Sequence, residues 1–312
     1  MLLEQAASRV LMVRPAAFGF NADTAASNAL QQQAIHGAAT TQAQACLEFA
    51  TLVEALLGAG IEVCVVQDTQ LPAKPDAVFP NNWASFHQDG TVVLYPMQAA
   101  SRRPERRREI IDEVSERLGF RLQRLIDLTS HEKRGEFLEG TGSLVLDHSR
   151  RTAYACRSPR TSEVMVERWC SLMGFEPVIF DATDAAGRSY YHTNVVLSIG
   201  VAHAVVGAED IVERDRAVVL KSLQHANCEV ITVSRAGVAH FSCNILQLTG
   251  RLASGKAQSV LVMSETARQG LGETQLRLAA KVAAVVAVPI PTIERVGGGS
   301  VRCMLAEVFL PS

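Results

Sequence analysis

No Cys-x-x-Cys pair occurs in this chain of 312 residues, and its seven cysteines stand singly: Cys46, Cys64, Cys156, Cys170, Cys228, Cys243 and Cys303. Scattered thiols in odd number exclude a zinc-binding pair and a disulfide framework, and they fit a reduced, cytoplasmic setting. An excess of basic charge is missing too. The formal net charge is −2, which argues against a dedicated nucleic-acid binder. No apolar run reaches the roughly 18 residues that a membrane span needs. The opening MLLEQAASRVLMVRP lacks the basic segment, long apolar stretch and cleavage site of a secretory signal. No Pro- or Ser-rich linker divides the chain, so residues 1–312 are expected to form a single domain.

What the chain does have is apolar content, 48% of its residues, enough for a substantial core. Strand-like stretches alternate with helical ones, and one design recurs. FPNNWASFHQDGTVVLYPM starts at Phe79, FLEGTGSLVLDHSRRTAYAC at Phe137, YHTNVVLSIGVAHAVVG at Tyr191, FSCNILQLTGRLASGKAQSVLVMS at Phe241 and GGGSVRCMLAEVF at Gly297. In each, small or polar residues lead directly into an apolar strand. In the first four a turn and a second strand follow. The fifth lacks that second strand, and RVLMVRP near the start is the expected partner, closing a ring. The lead residues Asn82, Gly142, Asn194, Asn244 and Cys303 recur every roughly 50 to 60 residues, an internal repeat. Helices are predicted at about 40–59, 102–119, 161–174, 208–226 and 266–287. The expected fold class is α/β, with the five lead segments meeting around one axis.

Several motifs bear on chemistry. The glycines before Cys303 permit unusual backbone angles and close approach. They are not a dinucleotide fingerprint, which needs a strand before the glycines and a helix after them. Alone, Cys303 reads more readily as a small buried hydrophobe, and Arg302 beside it is a candidate for stabilising a thiolate. His192 heads the third unit. Glu139 heads the second, between an apolar pair and a glycine turn, where an unpaired carboxylate would be expensive. Cys, His and Glu at matching places in three units would meet near the axis. A thiol needs a base, and a histidine base needs a carboxylate to orient it. The arginine-rich SRRPERRREIIDEVSERLGF reads as a solvated helix face with acidic partners.

These residues resemble the guanidino-group-modifying superfamily: arginine deiminases, dimethylarginine dimethylaminohydrolases, amidinotransferases and N-succinylarginine dihydrolases. FPNNW, FLEGTGSLVLD, YHTN and GGGSVRC carry the resemblance, which spans essentially the whole chain. VRPAAFGFNADTAASNALQ and AYACRSPRT place it nearest the citrulline-utilisation hydrolases. The resemblance implies a five-bladed pseudo-symmetric α/β propeller. It also implies Cys303 as nucleophile, His192 as general acid/base and Glu139 as its carboxylate partner, with no metal or organic cofactor. Asn82, Asn194, Phe79 and Arg160 are the implied substrate contacts, with Arg157 and Arg14 as alternatives to Arg160 for a substrate carboxylate. Arginine deiminases and dimethylarginine hydrolases place aspartate where this chain has Asn82, and arginine deiminases also where it has Asn194. Asparagine offers a carbonyl and an amide, which suit a neutral ureido group, although N-succinylarginine dihydrolases are asparagine-rich there too. The expected reaction is cysteine-dependent hydrolysis of an arginine-derived amino acid, with citrulline giving ornithine, carbon dioxide and ammonia as the leading case. Arginine deiminase, dimethylarginine hydrolase and amidinotransferase are the enzymatic alternatives. A non-catalytic propeller is the alternative of another class. The expected partner is a small amino acid, with neither nucleic acid nor membrane, and a homo-oligomer is compatible with the sequence.

Overall fold

In a computed structural model that describes residues 4–224 and 228–310, fifteen short strands form five three-stranded sheets. The strands are β1 (Arg9–Arg14), β2 (Glu62–Gln67), β3 (Ala84–Phe86), β4 (Thr91–Leu94), β5 (Arg124–Asp127), β6 (Leu144–Asp147), β7 (Thr152–Cys156) and β8 (Glu176–Phe180). They continue with β9 (Leu197–Ile199), β10 (His203–Val206), β11 (Glu229–Thr232), β12 (Leu246–Arg251), β13 (Ala257–Ser264), β14 (Ala284–Val288) and β15 (Ala306–Glu307). Four sheets have the order β3-β4-β5, β6-β7-β8, β9-β10-β11 and β12-β13-β14. The fifth is β15-β1-β2. In all five the first pair is antiparallel and the second parallel.

The repeat follows from local chemistry. Middle strands such as β7 (TAYAC) and β10 (HAVV) are buried along their length, as expected for strands covered on both faces. A parallel third strand needs a long crossover. Helices supply it at Ala38–Gly58, Arg108–Leu118, Glu163–Met173 and Glu213–Leu223, and in the last full unit at Glu265–Gly270 and Glu273–Val282. Gly119 and Gly174 end two of these helices in left-handed conformation, where a side chain would be strained. The expected junction of chain ends is present: Val10 lies opposite Glu307 and Leu11 opposite Ala306.

Three helix predictions are corrected. The second helix starts at Arg108, after a 3-10 segment at Ala100–Glu105 that contains Pro104. Proline lacks an N–H and disfavours helical angles in the residue before it. The fourth is shorter than predicted, and residues 225 and 226 of its predicted span lie outside the described residues. The fifth splits at Gly270–Gly272 and stops at Val282, because 284–288 is the strand β14. No helix among the described residues is long and apolar enough to cross a membrane.

Candidate active site

The lead residues sit in tight buried turns just before the first strand of each sheet, at Pro80–Asn82, Gly140–Ser143, Thr193–Val195 and Val301–Met304, with Asn244 at the equivalent place before β12. They come together. A Cβ on Gly142 would lie 2.6 Å from both Asn82 Nδ2 and His192 Nδ1. Asn194 and Asn244 both reach Cys303 Sγ. Only glycine fits between the asparagine and the imidazole, which is why the second unit carries none of the side chains found at the other leads.

Glu139 and His192 are paired, as the sequence suggested. Glu139 Oε2 is 2.8 Å from His192 Nε2 and both residues are fully buried. Glu139 Oε1 accepts from the Gln98 N–H at 3.0 Å. Burial alone would push the Glu139 carboxyl up, but Arg160, His192 and Arg102 together hold it down to about 2. Burial lowers the imidazole of His192 to about 4, despite the carboxylate beside it. An ionised carboxylate can only accept, so neutral His192 donates from Nε2, leaving a lone pair on Nδ1.

A small pocket adjoins this pair, with Cys303, His192, Phe79, Asn82 and Arg160 on its wall. Gly297 and Gly299 make room for Phe79: a Cβ on Gly297 would meet its ring at 2.7 Å, and one on Gly299 at 3.1 Å. Gly298 is left-handed at φ +65° and packs on the backbone of Gln31. Its carbonyl accepts from the Tyr191 hydroxyl at 2.5 Å and from Asn28 Nδ2 at 3.1 Å. The glycine run is therefore a close-packed hub joining three segments.

Arg160 donates to the Thr24 carbonyl and Ser27 hydroxyl, each at 2.9 Å, and its guanidinium lies 4.9 Å over the Tyr191 ring. Arg157 instead pairs with Glu163 and Asp181, and Arg14 lies over Phe49; neither lines the pocket. Arg302 also turns away from the thiol, to Glu307 at 2.8 Å and the Leu305 carbonyl at 2.9 Å. The expectation that Arg302 stabilises Cys303 directly is corrected.

Two residues of the site were missed in the sequence. Arg102 was read as part of a solvated helix face, yet it is buried. It forms a bidentate pair with Glu105, both bonds at 2.9 Å, and donates to Asn82 Oδ1 at 2.8 Å. The other arginines of that stretch are nearer the expected pattern: Arg103 and Arg106 pair with Glu132, and Arg108 with Asp112. The second missed residue is Asp76, buried on the pocket wall. Its Oδ2 accepts from Asn21 Nδ2 at 2.7 Å and Thr24 Oγ1 at 3.2 Å. Its Oδ1 has no hydrogen-bond partner among the described residues. The clue in KPDAVFPNNW was a carboxylate set in apolar sequence just before a lead turn, the feature that singled out Glu139.

No group of three His, Cys, Asp or Glu side chains among the described residues is placed to hold a metal ion. The fold is that of known enzymes. The N-terminal domain of cyanobacterial ArgZ, an arginine dihydrolase crystallised as a cysteine-to-serine variant with substrate, is 17% identical. It superposes with a TM-score of 0.72, over 97% of this chain and 98% of that one. Against the apo ArgZ structure the chain spans 41% of that protein's length. Dimethylarginine dimethylaminohydrolase (DDAH) from Pseudomonas aeruginosa, a cysteine-to-serine variant with citrulline, is 13% identical, with a TM-score of 0.65 over 98% and 100% of the two chains. A search of the curated proteins finds no match. The family described as N,N dimethylarginine dimethylhydrolase, eukaryotic, matches residues 14–310, so the chain belongs to that family of guanidino-group hydrolases acting on C–N bonds.

Proposed function

We propose that this protein hydrolyses the guanidinium group of free arginine or an N-methylated arginine through a covalent Cys303 adduct. The proposal includes residues 1–312 acting as one catalytic domain and the five sheets closing into a five-bladed propeller around the pocket. The observation that carries the substrate class is Asp76. Asp76 Oδ2 is served by Asn21, Thr24 and the nearby Arg102, but a buried carboxylate oxygen left without a donor, as Oδ1 is among the described residues, is costly until a partner arrives. Arg102 lies beside Asp76, its Nε 3.8 Å from Oδ2, but its hydrogen bonds to side chains go to Glu105 and Asn82, and Arg160 is opposed by Glu139 at 3.6 Å; neither hydrogen-bonds Oδ1. A cationic N–H donor on the substrate is the natural partner for Asp76 Oδ1. The preference for a neutral ureido group is revised accordingly. It relied on Asn82 and Asn194 offering carbonyl and amide to the substrate, but Asn82 Oδ1 already accepts from Arg102 and its Nδ2 donates to Asn81 Oδ1 at 3.0 Å, and Asn194 turns its amide to Cys303.

In this mechanism Sγ of Cys303 attacks the guanidinium carbon, and His192 accepts the thiol proton as a neutral base. Glu139 stabilises the resulting imidazolium. His192 returns the proton to the departing ammonia or methylamine, leaving an S-linked thiouronium. Neutral again, it activates the water that releases a citrulline-type product. Arg160 is the candidate ligand for the substrate carboxylate, and Phe79 packs on the substrate. ArgZ, an arginine dihydrolase, supports testing a second round on citrulline. Arginine, methylated arginines, citrulline, agmatine and succinylarginine are incubated separately, and ammonia, methylamine, citrulline and ornithine are measured. Turnover of a guanidinium substrate is expected. Turnover of citrulline without any guanidinium substrate would overturn the assignment. Product formation only with an added amine acceptor would show an amidinotransferase.

A further inference from the structure

Arg102 and Arg160 share the pocket with Cys303 but are paired with Glu105 and Glu139, and neither hydrogen-bonds Sγ among the described residues. Arg302 is held by Glu307, and burial keeps His192 neutral above about pH 4. The groups that reach Sγ are two side-chain amides. Asn194 Nδ2 lies 3.5 Å from Sγ and Asn244 Nδ2 3.3 Å, closer than their Oδ1 atoms, which at 3.9 and 3.7 Å are within reach of a thiol hydrogen. All three side chains are buried. The orientation of Asn244 has an independent anchor. Its Nδ2 also donates to the Asn194 backbone carbonyl at 3.0 Å, a group that can only accept, so nitrogen must face that side. The two hydrogens of one amide thus serve the carbonyl and the sulfur.

The internal repeat explains the arrangement. The lead position is asparagine in the first, third and fourth units and cysteine in the fifth. Cys303 has replaced a lead residue while its neighbours in the third and fourth units remained N–H donors. We propose that Asn244, assisted by Asn194, holds Cys303 as a thiolate through these amide N–H groups. Sulfur accepts such bonds far better as a thiolate than as a thiol, so fixed donors favour ionisation. In the free protein the proton that leaves Sγ goes to water, so ionisation does not depend on His192; in turnover Nδ1 of His192 takes up a proton and carries it to the leaving group, and no redox partner is needed. The proposal rests on Cys303 being the nucleophile assigned above. Neither asparagine lines the pocket with Asp76, so their role is toward the sulfur and not the substrate.

The test uses the free protein. Iodoacetamide labelling of the Cys303 peptide is followed by mass spectrometry across pH 5 to 10 in wild type, Asn244→Ala, Asn244→Asp and His192→Ala. In Asn244→Ala the pH of half-maximal labelling should rise by about one to two units, the worth of a hydrogen bond to a charged group. Asn244→Asp, of equal size, should rise at least as far, because an acceptor replaces the donor. It carries the test if the alanine variant does not fold, as judged by circular dichroism. His192→Ala should leave the midpoint in place. With substrate, Asn244→Ala should lower kcat about tenfold or more at pH 7 and leave KM nearly unchanged. Superimposable profiles for wild type and either folded Asn244 variant overturn the proposal. So does a large rise in His192→Ala, which would make imidazolium the stabilising group. If the profiles shift as expected but Cys303→Ala retains turnover, the assignment of the nucleophile fails while the amide effect stands.

Discussion

At the scale of single residues, the site is a set of buried charges in which one carboxylate oxygen waits for a partner. Asp76→Asn keeps the shape and removes the charge. If Asp76 binds a guanidinium, affinity for arginine-type ligands should fall about ten- to a hundredfold, the equivalent of roughly 1.5 to 3 kcal/mol. Affinity for citrulline, which carries no charge at that end, should change much less. Isothermal titration in a Cys303→Ala background measures both; equal losses would show that Asp76 is structural. Glu139→Gln should reduce kcat by at least about two orders of magnitude, the usual contribution of a supported acid/base. A near wild-type rate would leave the pair with His192 structural. Cys303, His192 and Glu139 were legible because each is chemically distinctive and heads a repeat unit. Burial pushes Cys156 and Cys170 up to about 12 and raises Cys243 as well, so these three thiols should label slowly. Arg102 and Asp76 were not legible as a site, because the partners that justify burying them are distant in the chain. Arg102 sits among six other arginines from position 103 to position 121, where a solvated face is the ordinary expectation.

At the scale of elements, the three glycines before Cys303 are a packing device as much as a flexible turn. Gly297→Ala would drive a methyl into Phe79, 2.7 Å away, and push the ring toward the pocket. Overpacking of this kind typically costs about 1–3 kcal/mol. Urea unfolding should show that loss, and KM should rise. The double variant Gly297→Ala/Phe79→Leu removes the offending ring atoms and should recover part of the stability. Strictly additive losses would mean that Phe79 is not what Gly297 accommodates. The sequence showed that these glycines let another group approach, but the group itself, a phenylalanine more than two hundred residues earlier, could not be read. The first two strands of each unit were visible as apolar runs behind polar leads. The third strand of most units was not. Segments such as RLID in β5 and EVIT in β11 are four residues long and largely exposed, so they carry little of the apolar pattern that identifies a strand.

At the scale of the whole molecule, five copies of one topology bring their lead turns together, and the buried interior tolerates charge only where a partner of opposite sign is supplied. His87, His148, His192 and His203 are all buried, and burial lowers them to about 4, 3, 4 and 4. The repeat spacing made the convergence of the leads legible, because apolar middle strands must recur wherever a sheet recurs. The histidines in the strands and turns gave no such sign, since their protonation depends on packing contributed by other units. Each makes the fold sensitive to acid. Buried carboxyls raised by desolvation, such as Glu294 and Glu307, act in the opposite sense, so one histidine must be isolated. His203 is the cleanest: desolvation is the sole cause of its shift, and its Nδ1 has no partner among the described residues. Below about pH 6.5 the unfolded chain protonates this histidine, whereas the folded chain does not until about pH 4. The unfolded state then binds more protons, so wild-type stability falls as pH drops through that window, by about 1.4 kcal/mol per unit from this residue. His203→Leu has nothing to protonate. The stability of wild type minus that of His203→Leu should therefore be flat above pH 7 and decline by about 2 kcal/mol between pH 6.5 and pH 5. Urea unfolding at pH 7.5, 6.5, 5.8 and 5.0 measures the difference, and a difference that stays constant across the series would show that folded His203 titrates as it does in the unfolded chain.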